Sequence, residues 1–481
     1  MREKRDSSPR GRFQRPANAA PAARRRPAPR YARPGGRYPS AGAAALQRRL
    51  ASQTAAVIEA VAHMLHTGLR ERRPVDRALA AYLRERKHLG ARDRRLISEI
   101  VYGVFRWWGW LQRLAPPPGA APDDARWSAL LLAAAVMEAV DDRTLREFWR
   151  RTCGLEEELP ATLLQSDRPL HRATALFAAL GRRDLLPIEF TALAPAWALA
   201  LIRSPKPAAD LVGWLQKRPP LWLRVQSADA AAVLAELREA GLEPAPHARL
   251  AGALRLDRTR VNLFTLPAYR ARRVEVQDLS SQCVGLVCAP RPGERWWDAC
   301  AGGGGKALLL AQLLRGRGTV VATDIREHKL QEVRHRARLA GFQNITTRAW
   351  NGRAVAPRQA TFDGVLVDAP CSGSGTWRRN PWARWSLRPE DLAELNALQQ
   401  RILRNAATGV KPGGVLVYAT CSMFAAENDD VVKDFLSAHP AFTPEPFAHP
   451  LRDGQTDGAL RLWPWDGDGD AMYLMRLRKS G

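Results

Sequence analysis

The chain has 481 residues and a formal net charge of +26, from 74 Lys and Arg against 48 Asp and Glu. The length exceeds one ordinary domain, the apolar share of 46% supports a sizeable core, and the basic excess points to a polyanionic partner, nucleic acid ahead of an anionic membrane, unless the composition has merely drifted towards Arg. The six Cys (153, 283, 288, 300, 371 and 421) form no Cys-x-x-Cys pair and the longest apolar run, Leu130–Val140, is short and broken by Glu138, so a zinc finger, any other metal site and a membrane span are excluded and a reducing cytoplasmic setting is expected.

Residues 1–43 are rich in Arg, Pro, Ala and Gly and nearly free of large aliphatics. Such a segment cannot bury enough surface to offset its ordering entropy, so a disordered basic tail is expected. The first fifty residues hold 14 Lys and Arg against Glu3 and Asp6, which suits either an arm for RNA phosphates or a solvated tail. Residues 44–170 turn helical. Leu46, Leu50, Val57, Val61, Leu65 and Leu69 recur at three- and four-residue steps, and Ile97, Ile100, Val101 and Val104 form a second stripe. The nearly all-apolar Ala129–Val140 predicts a buried helix. A small bundle follows, with Arg92, Arg94 and Arg95 on a basic rim that suits RNA contact or plain solvation. Residues 171–290 read as a small α/β linking domain, with Leu221–Val225 a strand, Asp229–Ala240 a helix stopped by Gly241, and Ala253–Leu256 strand-like.

From 291 to 481 strand and helix patterns alternate. Arg295–Asp298 and Thr319–Thr323 read as strands, and Ala307–Leu314, Glu327–Leu339 and Pro389–Thr408 as helices. A hairpin, Ala459–Trp465 with Ala471–Leu477, closes the chain. This pattern predicts a doubly wound sheet with an antiparallel edge. The first strand empties into Asp298-Ala-Cys-Ala-Gly-Gly-Gly-Gly-Lys306. Glycines there let a ligand approach the backbone and aim helix N-terminal amides at it. A Walker loop is excluded, because Cys300 holds the first Gly position and Ala307 follows Lys306. Gly302-x-Gly304-x-x-Ala307, with Asp324 some twenty residues on, fits a dinucleotide site. S-adenosylmethionine uses the same architecture, and spacing alone does not separate the two. Only nine of the 74 basic residues are Lys, so Lys306 marks either a need for a compact ammonium or a solvated first-turn side chain.

Two further strands end in thiols. Phe362–Asp368 runs into Ala369-Pro370-Cys371-Ser-Gly-Ser-Gly-Thr376, and Gly414–Thr420 into Cys421-Ser422. Apolar, β-branched runs that stop in small polar clusters are buried parallel strands reaching a loop, and ligands bind at that edge. A lone Cys at a strand end is usually a buried hydrophobe. Two at one edge suggest sulfur chemistry on a substrate, for which a hydride carrier has no use.

At these residues the chain resembles the RsmB/Sun family of RNA 5-methylcytosine methyltransferases. Cys300–Lys306 is similar to the family's adenosylmethionine loop, with Gly302-Gly303 where Ala-Pro is usual. Val276-Gln277-Asp278 with Ser280-Ser-Gln282, Asp368-Ala-Pro-Cys371 with Arg378-Arg379-Asn-Pro381 and Trp385, and Thr420-Cys421-Ser422 with Glu427-Asn428 are similar to further family motifs. The helical region resembles the family's NusB-like domain and Pro219–Val225 a piece of its linking domain. The resemblance therefore implies a Rossmann-like methyltransferase domain behind an all-α NusB-like domain and a small α/β linking domain.

It also implies roles. Cys300, Ala301, Gly302, Gly303, Gly304, Gly305, Lys306, Asp324, Asn351 and Asp368 would hold S-adenosylmethionine, with Asn351 where the family has an Asp that contacts adenine. Cys421 would add to C6 of a cytidine, Asp368 would bond the base, Cys371 would help release the product, and Lys306 would favour the Cys421 thiolate. Arg378, Arg379 and Trp385, with Trp382, would contact a flipped-out RNA substrate. Ribosomal RNA is the expected partner, transfer RNA the alternative, and the enzyme is expected to be a monomer. The other alternative is a catalytically idle RNA-binding or ribosome-assembly factor that keeps the fold.

Overall fold

Glu138, which breaks the longest apolar run of the sequence, is a buried carboxylate at the centre of a polar cluster in the helical bundle. The structure is a computed structural model that describes residues 41–481 except 161–162, 165, 258, 260 and 354–360. The expected tail lies outside the described residues as far as position 40. The chain divides after Arg49: residues 41–49 of the first unit are helical, and Leu50–Gly481 form one compact unit.

The helical part of that unit includes Val75–Glu85, Ala91–Arg106, Ala125–Met137, Arg143–Thr152, Pro169–Ala179 and Ala208–Gln216. Their stripes meet in one core that includes Val61, Ile100, Val104, Leu131, Trp149 and Phe177. Glu138 caps the innermost helix and accepts from Trp107 Nε1 at 2.8 Å, beside the guanidinium of Arg106 at 3.0 Å, while Arg218 Nε donates to its other oxygen at 2.7 Å. Burial works against its charge, but the two Arg outweigh it and hold the carboxyl below the usual range. Gly103 makes room, since a Cβ there would lie 2.6 Å from Glu138 Cγ.

A four-stranded antiparallel sheet follows, in the order β2-β3-β1-β4, from β1 (Leu221–Val225), β2 (Ala245–Pro246), β3 (Ala253–Leu256) and β4 (Val274–Val276). Helix Ala230–Glu239 covers it, and Leu223, Val233, Leu237 and Leu254 share its core.

The third part is an eight-stranded sheet. Its strands are β5 (Arg295–Asp298), β6 (Thr319–Asp324), β7 (Ile345–Ala349), β8 (Phe362–Asp368), β9 (Val410–Thr420), β10 (Phe442–Pro444), β11 (Ala459–Leu462) and β12 (Met472–Lys479). The order is β10-β12-β9-β8-β5-β6-β7, with β11 paired to β12. The strands β5 to β9 run parallel, and β12 is antiparallel to β9. Helices pack both faces, Leu279–Cys288 and Gly305–Leu313 on one and Pro389–Ala407 and Asp429–Ala438 on the other. The predicted closing hairpin is this β11–β12 pair. The strand order reverses at β5, so a crevice opens between the carboxyl ends of β5 and β8.

The segment after the Pro-Cys motif ties this sheet to the bundle. Arg106 Nη1 donates to Arg378 O at 2.9 Å, Trp385 Nε1 to Phe105 O at 2.8 Å, Ser386 Oγ to Gly68 O at 2.8 Å, and Arg384 Nη1 to Leu193 O at 2.9 Å. Among the described residues, no helix is long and apolar enough to cross a membrane.

Glu138→Ala would leave Arg106 buried without its partner. The expected loss is about 3–5 kcal/mol, measured by equilibrium urea denaturation; a loss under about 1 kcal/mol would show that the cluster does not depend on Glu138.

Candidate active site

The crevice between β5 and β8 gathers most of the residues singled out in the sequence. β5 delivers the glycine loop, β6 Asp324, β8 Asp368 and Cys371, and β9 Cys421. Gly302 and Gly304 have φ of +53° and +86°, the left-handed region that suits residues without a Cβ. Gly302 N donates to Asp324 Oδ2 at 3.0 Å, which fixes the loop to the end of β6. Asp324 also accepts two hydrogen bonds from Arg326, Nε to Oδ1 at 2.9 Å and Nη2 to Oδ2 at 3.0 Å. Burial opposes its charge, yet these bonds keep the carboxyl below the ordinary range. The next residue, Ile325, is 71% exposed, an apolar wall beside a carboxylate.

Gly303 stands where the resembling family has Pro. A Cβ there would meet Glu332 Oε1 at 2.9 Å and Arg336 Nη1 at 3.2 Å. Arg336 uses that space to donate to Gly303 O and to Glu275 of β4. From β1, the buried Arg224 donates to Gln277 Oε1 at 2.6 Å and to Gly305 O at 3.4 Å. The four-glycine loop is thus braced by side chains of the small sheet. Sequence reasoning missed Arg224, Glu275 and Arg336, and no local pattern marks them.

Lys306 Nζ donates to Asp368 Oδ2 at 2.8 Å, across the crevice. Burial would lower the lysine's pKa, but Asp368, then Cys421 and Asp298, more than offset it, so the ammonium stays charged. Asp298, at the end of β5, is fully buried, and among the described residues neither carboxylate oxygen has a hydrogen-bond partner. Burial first, and Asp368 second, push it up to about 7.

The two thiols meet. Cys371 Sγ lies 3.4 Å from Cys421 Sγ. The hydrogen bond to Cys421 and then burial raise the Cys371 thiol well above the ordinary range, so it keeps its proton. Glu427, wholly buried, joins both loops. It accepts from Ser372 N at 2.8 Å, Ser372 Oγ, Ser422 Oγ and Gln399 Nε2 at 2.9 Å. Thr420 Oγ1 bonds Asn428 Oδ1, and Ser374 Oγ accepts from Met423 N at 2.8 Å. Glu427 and Asn428 carried the family likeness without a role; Gln399 carried no signal at all.

Other expected site residues sit elsewhere. Cys300 and Ala301 lie in the loop, with the Cys300 thiol packed against the core and raised by burial. Asn351 is exposed beyond β7, its side-chain oxygen accepting from Arg353 N at 3.1 Å. Arg378 is 1% exposed, its guanidinium bonded to Lys217 O, Gly469 O and Asp468. Three of its five N–H donors are thus spent inside the protein, and its burial leaves little surface for the expected phosphate contact. Arg379 remains half-exposed and pairs with Asp470. Trp385 and Trp382 pack against the helical core. In the bundle, Arg94 donates to the carbonyls of Leu83, Arg86 and Leu89, so it closes a helix end. Arg92 reaches Asp142 at 2.8 Å and Arg95 reaches Glu99 at 3.4 Å, both largely exposed. Among the described residues, no group of three His, Cys, Asp or Glu could hold a metal ion.

The chain is similar to known proteins. The family described as "16S rRNA methyltransferase RsmB/F" matches residues 285–478. The probable ribosomal RNA small subunit methyltransferase B of Bacillus subtilis is 33% identical over 287 residues, which cover 57% of this chain and 63% of that protein. Ribosomal RNA small subunit methyltransferase B of Salmonella paratyphi B is 34% identical over 294 residues, covering 60% of this chain and 67% of its own length. The match thus spans about two thirds of these relatives. In fold, the crystal structure of PH0851 covers 89% of this chain and 99% of its own, with a TM-score of 0.69 and 24% identity. The expected fold class, a helical region and a small α/β part ahead of a Rossmann-like methyltransferase sheet, therefore holds.

Asp298→Asn isolates the buried carboxyl. Its folded pKa of about 7 lies above the ordinary aspartate value of 3.8, so the native state favours the proton and stability is lost as pH rises from about 4 to about 7. The Asn variant lacks this loss. Thermal melts should agree near pH 4, and the variant should gain, on the order of 4 kcal/mol, by pH 8. A difference independent of pH would contradict the placement of Asp298.

Proposed function

The chain belongs to the RsmB/F family of methyltransferases, and from that premise we propose that it methylates C5 of a cytidine in small-subunit ribosomal RNA through a covalent bond from Cys421 to C6. The observation that carries this reading is the 3.4 Å contact of two thiols beside the Lys306–Asp368 pair. Cytosine C5 is a weak carbon nucleophile, and a thiolate added to C6 moves electron density onto it. One thiol must attack and the other must not compete. The family resemblance assigns the attack to Cys421, with Cys371 3.4 Å from its sulfur.

The residues of the crevice suit S-adenosylmethionine. Gly302 and Gly304 open the backbone, Asp324 offers a carboxylate to ribose hydroxyls, and Ile325 offers an apolar face to adenine. Arg326 occupies the Asp324 carboxylate, so ribose binding would draw it aside. When bound, the cofactor supplies an electrophilic methyl group. Cys421 adds to C6, and as negative charge develops at N3 the Lys306 ammonium passes a proton to N3 through Asp368. After transfer, a water takes the C5 proton, the C6–S bond breaks to expel the Cys421 thiolate, and N3 returns its proton to the Lys306–Asp368 pair, which restores the aromatic ring. Cys371 retains its proton beside that sulfur and assists release.

The braces on the glycine loop count against the idle-factor alternative, whose motive was the departure at Gly302-Gly303. The test uses labelled S-adenosylmethionine and small-subunit RNA made without modifications, with bisulfite mapping of the product. Cys421→Ala should lose at least about a thousandfold in rate. Cys371→Ser should accumulate a protein–RNA adduct that survives denaturing gels. Absence of both cofactor binding and transfer in the wild type would overturn the enzyme reading; a Cys371→Ser variant that turned over normally would overturn the division of roles.

A further inference from the structure

The loop between β11 and β12 runs outward from the reacting sulfur. At its inner end Ala471 N donates to Gly375 O at 3.0 Å, and Gly375 N donates to Cys421 O at 2.9 Å. A Cβ on Gly375 would lie 2.1 Å from Ala471 O, so the two segments are in close contact. At the outer end the partly exposed Trp465 rests on the buried Trp463. Trp463 and Trp465 stack at 5.3 Å and 8° between planes, and Trp465 meets Trp214 edge-on at 6.5 Å. Lys206 Nζ lies 4.8 Å from the Trp465 ring and Lys217 Nζ 3.8 Å from the Trp214 ring. Both lysines are exposed, and among the described residues their ammonium groups sit over indoles rather than carboxylates.

Lys206, Trp214 and Lys217 line a cavity of about 760 Å³ in which Arg172 adds another cation and Asp167 and Asp210 stand opposite. One of its three carboxylates, Glu138, is already neutralised by Arg106 and Arg218. The chain has only nine Lys, and two of them stand on this one face. From Trp465 to Ala471 the chain can extend at most about 20 Å, so the face lies within a few nucleotides of Cys421.

We propose that Trp214, Trp465, Lys206 and Lys217 form a subsite for the single-stranded RNA that flanks the target cytidine. The proposal rests on the RNA reading of the active site. Extruding a base leaves its neighbours unpaired, with free π-faces and phosphates that repeat along the strand. Indoles interleaved with unpaired ammonium groups match that repeat. Bases stack on the rings, and the two lysines take phosphate oxygens. The buried Arg378, bonded to Asp468 and Gly469 O, holds the connecting loop in place.

The test compares Trp214→Ala and the double variant Lys206→Ala/Lys217→Ala with the wild-type full chain. The probes are a fluorescein-labelled single-stranded RNA containing cytidine and a duplex of the same sequence, read by anisotropy at several salt concentrations, together with KM and kcat for methyl transfer. Trp214→Ala should weaken single-strand binding and raise KM about tenfold, with duplex binding, kcat and S-adenosylmethionine affinity unchanged. The Lys variant should flatten the salt dependence of single-strand binding by about 1.4 in log–log slope, for two phosphates. Equal losses on duplex and single strand would overturn the stacking role. Unchanged RNA binding in both variants would assign the face to a protein partner and overturn the subsite while leaving the RNA function standing. A wild-type chain that bound no RNA would overturn both.

Discussion

Glu427 is the group on which the candidate site depends. It is wholly buried and accepts from both cysteine loops at once, from Ser372 on one and Ser422 on the other, with Gln399 behind it. A buried carboxylate is costly unless every lone pair is used, and here four donors use them. The network fixes two loops from separate strands so that their sulfurs approach to 3.4 Å. The neighbouring β8 and β9 bring Cys371 and Cys421 to one edge, and this network joins the two loops that carry them.

The same logic extends outward. Each part of the fold lends the site a brace. The small sheet supplies Arg224 and Glu275, which hold the glycine loop directly and through Arg336. The helical bundle grips the segment after the Pro-Cys motif through Arg106, Phe105 and Gly68. A glycine-rich loop has much conformational entropy to lose, and bracing from other parts reduces that cost at binding. The chain can therefore use glycine at 302 and 303 without a slack loop.

Much of this was legible in the sequence. The strands that carry Asp298, Asp324, Asp368 and Cys421 announced themselves as apolar runs ending in polar clusters, because a parallel strand buried on both faces has no alternation to hide it. The rarity of Lys marked Lys306, and the structure pairs it with Asp368 across the crevice. What the sequence could not show were partners fixed by tertiary packing. Arg378 stands in a basic motif and reads as a phosphate ligand, yet it is spent on the chain's own carbonyls and Asp468. Arg94 likewise closes a helix end. Both depend on residues distant in sequence or in another element, and no period or spacing encodes such pairings.

The central claim is that Cys421, not Cys371, forms the bond to the base. An RNA carrying 5-fluorocytidine at the target position permits addition and methyl transfer but blocks release, since the fluorine cannot leave as a proton does. Digestion of the trapped complex and mass spectrometry would identify the linked peptide. The account predicts the nucleotide on Cys421, with Cys371 unmodified. A nucleotide on Cys371 would contradict it.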